Sequence, residues 1–415
     1  MTSAFRDRQF VAAWLAAALP GLIFFHHRVP VFILLAWLVF HAWSWKTLRQ
    51  ERDGRSVLRS PIALGFATNT AVLAVLFLIH RDNWHPLDHS TRLLLALPAM
   101  AAIVILRPSC RPYFTAAAFG GIVAGAVAVW EVLITAGVAP SDPILGFSNR
   151  SKFSYVSASV LMLLCAASCL PGDERPARPW LVLGIAGALV AIVLANARSI
   201  WIATVIPLTI WMWSSPRFSL ASRVRITGGS ALLMAALALT PGSPVNDRIM
   251  LGLQQYEQYR PGQAMFDDSI GSRLDMLQVG LSMFREHPWV GVGPGQFTEE
   301  LAPYVDSGMI SADALRVGNP HNEYLSALAT GGVIGLLGLM AVLAGPLLYF
   351  AGSIRRSGAS SRSGACGLAG VLVVGLTAIF SAMDPLFHVH FSTIYYALTI
   401  AILGGFADTA RRAAA

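Results

Sequence analysis

Long apolar runs separated by short polar segments dominate the pattern along the chain. A hydrocarbon core about 30 Å thick is crossed by about 20 helical residues, and about twelve runs are long and apolar enough to be read as crossings. The pattern therefore predicts an all-α polytopic membrane protein with about 12 transmembrane helices. The predicted helices are centred in residues 10–25, 31–45, 61–80, 93–106, 113–136, 155–170, 180–197, 200–213, 226–239, 331–350, 367–383 and 391–406.

The apolar stretch 180–213 is interrupted only by the charge of Arg198. A single helix over this stretch, rising about 1.5 Å per residue, would reach about 51 Å, far more than one bilayer requires. We therefore predict two helices joined by a tight turn at 196–199. Such a turn places Arg198 at a membrane surface rather than in hydrocarbon.

Composition and charge agree with a chain that lies mostly in lipid. Hydrophobic residues make up 55% and charged residues only 13% of the sequence, with a mean hydropathy of +0.60. This excludes an ordinary soluble enzyme. The net charge of +8 would suggest nucleic-acid binding in a soluble protein, but here Lys and Arg concentrate in alternate connecting segments. By the positive-inside rule, both termini are expected in the cytoplasm, and no nucleic-acid partner is expected.

One segment, residues 240–320, is polar, rich in Gly and Pro, and lies outside by this topology. It divides the chain into helices 1 to 9 in residues 1–239, a long outer loop in 240–320, and helices 10 to 12 in 321–415. Loops of such length are more often functional than passive.

Within the long segment, residues 271–287 predict an amphipathic helix. Its apolar stripe is expected to pack on the membrane domain or to lie in the membrane interface. Arg273 falls in the first turn, where free backbone N–H groups and the helix dipole favour an anion. The predicted stripe consists of Leu274, Leu277, Leu281 and Phe284.

Two other features of the long segment give little support for a phosphate-binding or metal-binding site. The glycines of GVGPGQF, 291–297, lack the strand and the spacing of a phosphate-binding loop, so tight turns are expected. Asp267 and Asp268 are adjacent carboxylates without further spaced ligands, which is weak support for a cation site. We therefore expect no metal site.

The sequence Asn319-Pro320-His321 contains helix-start signals before a long apolar run. Asn as N-cap and Pro as first helical residue would place His321 in the first turn, where the helix dipole opposes a proton and keeps the imidazole neutral. By spacing alone, a histidine here is also compatible with a simple interface role. Three polar residues before the sixth predicted helix are expected on the same surface: Asn149, Arg150 and Lys152.

Four motifs resemble those of the bacterial O-antigen ligase family, within a superfamily that includes O-antigen polymerases. HNEYLSALATGG, 321–332, resembles the family's His-Asn signature. SRLDMLQVGLSMFREHPWVGVGPGQF, 272–297, resembles its loop helix and glycine turn, and NARSIW, 196–201, its short arginine motif. FSNRSKF, 147–153, matches a weaker pattern. The usual Ser-Arg of the short motif is Ala197-Arg198 here, which leaves the arginine in place.

The resemblance implies a GT-C-like, metal-independent glycosyltransferase without a cofactor in the bacterial inner membrane. Such an enzyme transfers O-antigen polysaccharide from undecaprenyl diphosphate to a lipid A core sugar in the periplasm. It implies that His321 is the catalytic base and that Arg198 and Arg273 bind the diphosphate. Supporting candidates are Arg150, Lys152, Asn322, Glu323 and Tyr324.

The residues leave three alternatives open. An O-antigen polymerase shares the donor chemistry but lengthens the glycan on its carrier. A protein O-oligosaccharyltransferase uses a protein acceptor. A secondary transporter, from a different functional class, would also be polytopic, but the sequence has no convincing internal repeat, and its polar residues concentrate on one face.

Overall fold

The computed structural model consists of helices joined by turns, with no strand among the residues that it describes, which are 3–50, 54–81, 84–135, 149–195, 197–260, 271–312, 315 and 320–413. Two short 3-10 helices cover Ile23–Phe25 and Glu299–Leu301. The α-helices are α1 (Ser3–Leu22), α2 (Val29–Trp43), α3 (Trp45–Gln50), α4 (Gly54–Leu58), α5 (Pro61–His80), α6 (His85–Leu95), α7 (Leu97–Leu106), α8 (Arg111–Thr135), α9 (Arg150–Ala167), α10 (Arg178–Leu194), α11 (Arg198–Ser214), α12 (Leu220–Leu239), α13 (Pro244–Gln258), α14 (Gly271–Glu286), α15 (Ala302–Asp306), α16 (Glu323–Ser357), α17 (Arg362–Ser381) and α18 (His390–Ala413).

The chain is a multi-pass membrane protein, but the predicted count of twelve crossings is not reproduced. Within the described residues, seven helices are long and apolar enough to cross a membrane, and three further apolar helices are shorter. The seven are Phe5–Phe25, Pro61–His80, His85–Leu106, Arg111–Leu133, Glu323–Ser357, Arg362–Ser381 and His390–Asp408; the three are Val29–Trp43, Arg178–Leu194 and Ser199–Ser214.

The two remaining predicted crossings correspond to α9 and α12, which are long but carry many polar residues. In α9, every residue from Lys152 to Ala167 is buried, and α8, α10, α11 and α17 pack around it. A helix enclosed by protein does not need a lipid-facing apolar surface, and the hydroxyl of Ser157 donates to the carbonyl of Phe153 in the preceding turn at 2.9 Å. Polar side chains on α9 therefore lower its hydropathy without meeting lipid.

The predicted break in the stretch 180–213 is confirmed. Helix α10 ends at Leu194 and α11 begins at Arg198. The indole N–H of Trp201 donates to the carbonyl of Ile192 at 3.1 Å, which ties the start of α11 to the end of α10. The stretch is thus divided into two helices, as the length argument required.

Helix α16 packs against α5, α17 and α14. It spans 35 residues but is interrupted at Gly332, whose φ of 61° and ψ of −159° are not helical. Because the break leaves backbone groups without helical partners, another segment must satisfy them. That segment comes from the long polar region and leads directly to the candidate site.

Candidate functional site

His321 lies immediately before α16 rather than inside it. Its φ of 48° is in the left-handed region, which non-glycine residues adopt at a cost and which clusters at functional sites. Asn322 is the N-cap, and its side-chain oxygen accepts from the N–H groups of Tyr324 and Leu325 at 3.0 and 3.1 Å. The prediction that His321 occupies the first helical turn is therefore wrong. The predicted cap, Asn319, lies outside the described residues.

The surroundings of His321 favour a neutral imidazole. Partial burial lowers its pKa most, and the positive charges of Arg273 and Lys152 lower it further, whereas the carboxylate of Asp384 raises it. We predicted a neutral ring from the helix dipole. The direction is confirmed, and its causes are burial and two neighbouring cations. The side chains of three distant segments therefore converge on this histidine.

Lys152 is almost completely buried, with 2% of its surface exposed. Its ammonium lies 3.3 Å from a carboxylate oxygen of Asp384 and donates to the carbonyl of Pro385. A buried charge is stable only when it is paired in this way. The N-cap of α9, Asn149, accepts from the backbone N–H of Lys152 at 2.9 Å, and Arg150, the first residue of α9, is half-buried beside it. Lys152 therefore fixes the start of α9 to the loop after α17.

Glu323 holds the other side of the same loop. Its carboxylate accepts from the backbone N–H groups of Leu386 and Phe387 at 2.6 and 3.1 Å, and it lies 3.3 Å from Nε2 of His388. Nε2 of His388 also lies 3.0 Å from the hydroxyl of Ser326. Residues 386–388 are thus bound to α16, through charge-assisted hydrogen bonds at Glu323.

Tyr324 connects α16 to α17, because its hydroxyl donates to the carbonyl of Ala378 at 2.7 Å. Of the predicted supporting residues, Lys152 and Glu323 bind the loop between α17 and α18. In the described structure, Asn322 caps a helix, and Glu323 and Tyr324 bind backbone groups of neighbouring elements.

The predicted helix over 271–287 is confirmed as α14, with Arg273 exposed in its first turn. Leu277 and Leu281 of the predicted apolar stripe are 47% and 39% exposed, so the stripe as a whole does not pack into the protein. Its other predicted place, the membrane interface, stays a prediction. A different set of residues packs inward: Met276, Val279 and Met283. Their side chains form a small core with Phe297, Leu301, Ile310 and Ala329.

Two contacts set the position of α14. A Cβ atom added to Gly280 would lie 2.9 Å from side-chain atoms of Leu325, so glycine permits close packing on α16. At the other end, the hydroxyl of Tyr259 donates at 2.6 Å to Asp275, which is completely buried. Burial, together with the negative charge of Asp275, raises the pKa of Tyr259 well above its usual range. These contacts hold Arg273 near His321.

The glycine turn predicted in GVGPGQF packs against the broken part of α16. The N–H groups of Val292 and Gly293 donate to the carbonyls of Ala329 and Thr330 at 2.9 and 3.0 Å, and the N–H of Val333 donates to the carbonyl of Pro288 at 2.9 Å. Gly291, at a φ of 65°, has no room for a Cβ, which would lie 2.2 Å from the carbonyl carbon of Thr330. The turn supplies hydrogen-bond partners to backbone groups at the break in α16. This agrees with a structural role for the turn rather than a phosphate-binding one.

Arg198 is the first residue of α11, and nothing is described of its side chain. Helix α11 packs against both α9 and α17, the two helices joined through Lys152 and Asp384. That Arg198 faces the same site as His321 stays a prediction. Asp267 and Asp268, the weak cation candidates, lie outside the described residues.

Asp384 and His388 were missed by sequence reasoning. Neither residue was singled out as a candidate. Both lie in the short loop between the last two predicted helices, at the end of the bundle where His321 was expected. An acidic residue in such a loop was the sequence feature that could have identified Asp384 as a candidate. A cleft opens beside this loop, and its lining includes His89, Pro294, Glu323 and His388.

Comparison with known proteins agrees with the motifs. Residues 183–340 match the family model described as O-antigen ligase, a range that contains three of the four motifs. The chain is also similar to an uncharacterized protein of Haemophilus influenzae, with 19% identity over 327 residues, covering 78% of this chain and 80% of the relative. The match at residues 183–340 is to the family that the motifs predicted, and it supports an O-antigen ligase-type function.

Proposed function

We propose that the protein is an O-antigen ligase that transfers O-antigen polysaccharide from undecaprenyl diphosphate to a sugar hydroxyl of the lipid A core. The reaction completes lipopolysaccharide at the periplasmic face of the bacterial inner membrane. In this proposal both termini are cytoplasmic, and the membrane helices form a GT-C-like scaffold. Residues 240–320 are a periplasmic segment between the membrane helices of residues 1–239 and those of residues 321–415.

The observation that carries the proposal is the half-buried His321 beside Arg273 and Lys152. A sugar hydroxyl is a poor nucleophile at neutral pH, so its attack is helped by a base that takes the proton. The two cations lower the pKa of His321, which keeps its imidazole able to accept that proton. The same positive charge favours an anionic leaving group.

The transfer step follows from this arrangement. The acceptor oxygen attacks the anomeric carbon from the side opposite the diphosphate, His321 takes the hydroxyl proton, and the bond between the sugar and the diphosphate breaks with inversion. Arg273 and Arg198 bind the departing diphosphate through guanidinium groups, which suit phosphate oxygens in bidentate geometry. No metal takes part in this step.

The supporting residues have separate roles in the proposal. Arg150, half-buried at the start of α9, guides the carrier phosphates toward the arginines. Lys152 contributes its charge to the site, while its contacts with Asp384 and Pro385 position the loop. Asn322, Glu323 and Tyr324 act through His321 by fixing the start of α16, so they are positioning residues.

A deletion strain tests the proposed function against the related polymerase. If the protein is the ligase, its deletion should remove all long chains from lipopolysaccharide, and carrier-linked polymer should accumulate. Loss of a polymerase leaves lipid A core capped with a single repeat, which would contradict the ligase proposal. Restoration by a plasmid copy of the chain is the control.

A reconstituted assay tests the two remaining alternatives. Purified protein in detergent, given carrier-linked polymer and lipid A core, is expected to form lipopolysaccharide. A transporter would form none, and a protein O-oligosaccharyltransferase would label an added acceptor protein instead.

A further inference from the structure

The N-terminal halves of α6 and α18 bring together two histidines that are 301 residues apart in the sequence. Nε2 of His89 lies 3.2 Å from Nε2 of His390, and the rings are nearly perpendicular, at 80°, with centroids 3.9 Å apart. The two Nε2 atoms therefore lie within hydrogen-bond distance of each other. The two nitrogens can share one hydrogen bond, or both can bind one metal ion.

A carboxylate adds a third ligand to this pair. Asp88 precedes His89 on α6, and one donor atom from each of Asp88, His89 and His390 lies within 4.8 Å of the others. Arg92, one turn further along α6, donates to Asp88 at 2.6 Å. A carboxylate has several acceptor positions, so this ion pair is compatible with metal ligation.

We propose that Asp88, His89 and His390 bind a divalent transition-metal ion of the zinc class. Two imidazole nitrogens that each lie about 2.0–2.1 Å from a tetrahedral Zn²⁺ are about 3.3–3.4 Å apart, close to the 3.2 Å between the two Nε2 atoms. Two imidazoles and one carboxylate suit Zn²⁺ better than Mg²⁺ or Ca²⁺, which prefer sets of oxygen ligands. The side chain of His390 is 50% exposed, so the ion can enter from solvent and a water can complete its coordination.

The bound ion would join the start of α6 to the start of α18. His89 also lines the cleft beside Glu323 and His388, so the ion would sit at the edge of that cleft. This site is separate from His321 and does not depend on the proposed transfer reaction. Its role is to hold two helices together, and it supplies no step of the chemistry.

Metal titration of the full chain tests the site. Protein purified in detergent and stripped with a chelator is titrated with Zn²⁺ by calorimetry, and with Co²⁺ by visible absorption, which reports nitrogen ligation. We expect one ion per chain with micromolar affinity. His89→Gln and His390→Gln should each weaken binding by about tenfold or more. His287→Gln, an exposed histidine outside the group, is the matched control and should bind as the wild type does.

Thermal unfolding separates loss of the site from loss of the fold. With chelator present, the His89→Gln and His390→Gln variants should unfold at the wild-type temperature, and Zn²⁺ should raise that temperature only for the wild type and His287→Gln. Absence of saturable binding to the wild type would overturn the proposal. Binding or stabilisation that persists unchanged in both histidine variants would overturn it as well.

Discussion

The carboxylate of Glu323 accepts a hydrogen bond of 2.6 Å from the backbone N–H of Leu386. This bond joins the first residue of α16, two positions after His321, to the loop that carries Asp384. Because Asp384 also pairs with Lys152 at 3.3 Å, the loop is held from both sides. The charges around the candidate base are thus fixed by contacts between residues far apart in the sequence.

Replacing Glu323 with Gln should weaken the hold on this loop. Both N–H groups donate to the same carboxylate oxygen, and the amide oxygen that replaces it is a neutral and weaker acceptor, so about 1–2 kcal/mol of stability is expected to be lost. Thermal unfolding in detergent should show a lower midpoint, and transfer activity should fall. Glu300→Gln, on an exposed acid, is the control. Equal midpoints for the two variants would show that the contact with the loop is unimportant.

Arg273→Gln should shift the pH dependence of transfer. The positive charge of Arg273 lowers the pKa of His321, so its removal raises that pKa. Since a protonated imidazole cannot act as a base, activity falls as pH drops through the pKa, and the acidic limb of kcat/KM should move to higher pH. Arg285→Gln, near the other end of α14, should leave the limb in place. An unchanged limb in Arg273→Gln would contradict the electrostatic coupling.

Gly291→Ala should destabilise the protein more than Gly308→Ala does. Both glycines have positive φ, 65° and 73°, but an added Cβ meets the backbone of Thr330 at the first position and nothing within 4 Å at the second. Gly308→Ala is expected to cost about 1–2 kcal/mol from backbone strain alone. Gly291→Ala should cost about 1–3 kcal/mol more from overpacking. The comparison is made by thermal unfolding, and equal losses would mean that the turn does not support the break in α16.

Arg198→Lys should not restore the activity lost in Arg198→Ala. If Arg198 binds the diphosphate through two parallel hydrogen bonds, a single ammonium cannot reproduce them. Initial rates at varied donor concentration should show weakened donor use in both variants. Full activity of Arg198→Lys would exclude bidentate binding at this position.

The helices could be predicted from the sequence because long apolar runs mark them directly. Residues 61–80 were predicted as a helix and form α5 with the same ends. The number of crossings could not be predicted in this way. Hydropathy measures how apolar a run is, whereas the burial of α9 depends on the four helices packed around it.

The site was predicted in part. His321 and Arg273 were identified through family motifs, and the structure brings them together. The face of α14 that packs inward was not predicted, because both faces carry apolar residues and the close approach of Gly280 to Leu325 depends on a different helix. Asp384 and His388 were missed because their partners lie on other helices, which spacing along the chain cannot show.

The most direct test of the central claim is the transfer rate of His321→Ala. Purified wild-type and variant proteins, matched in amount and in thermal unfolding midpoint, are given carrier-linked polymer and lipid A core at saturating concentrations. If His321 takes the acceptor proton, the rate of lipopolysaccharide formation should fall by about 10²–10⁴-fold. A variant that transfers polymer at the wild-type rate would contradict the assignment of His321 as the base.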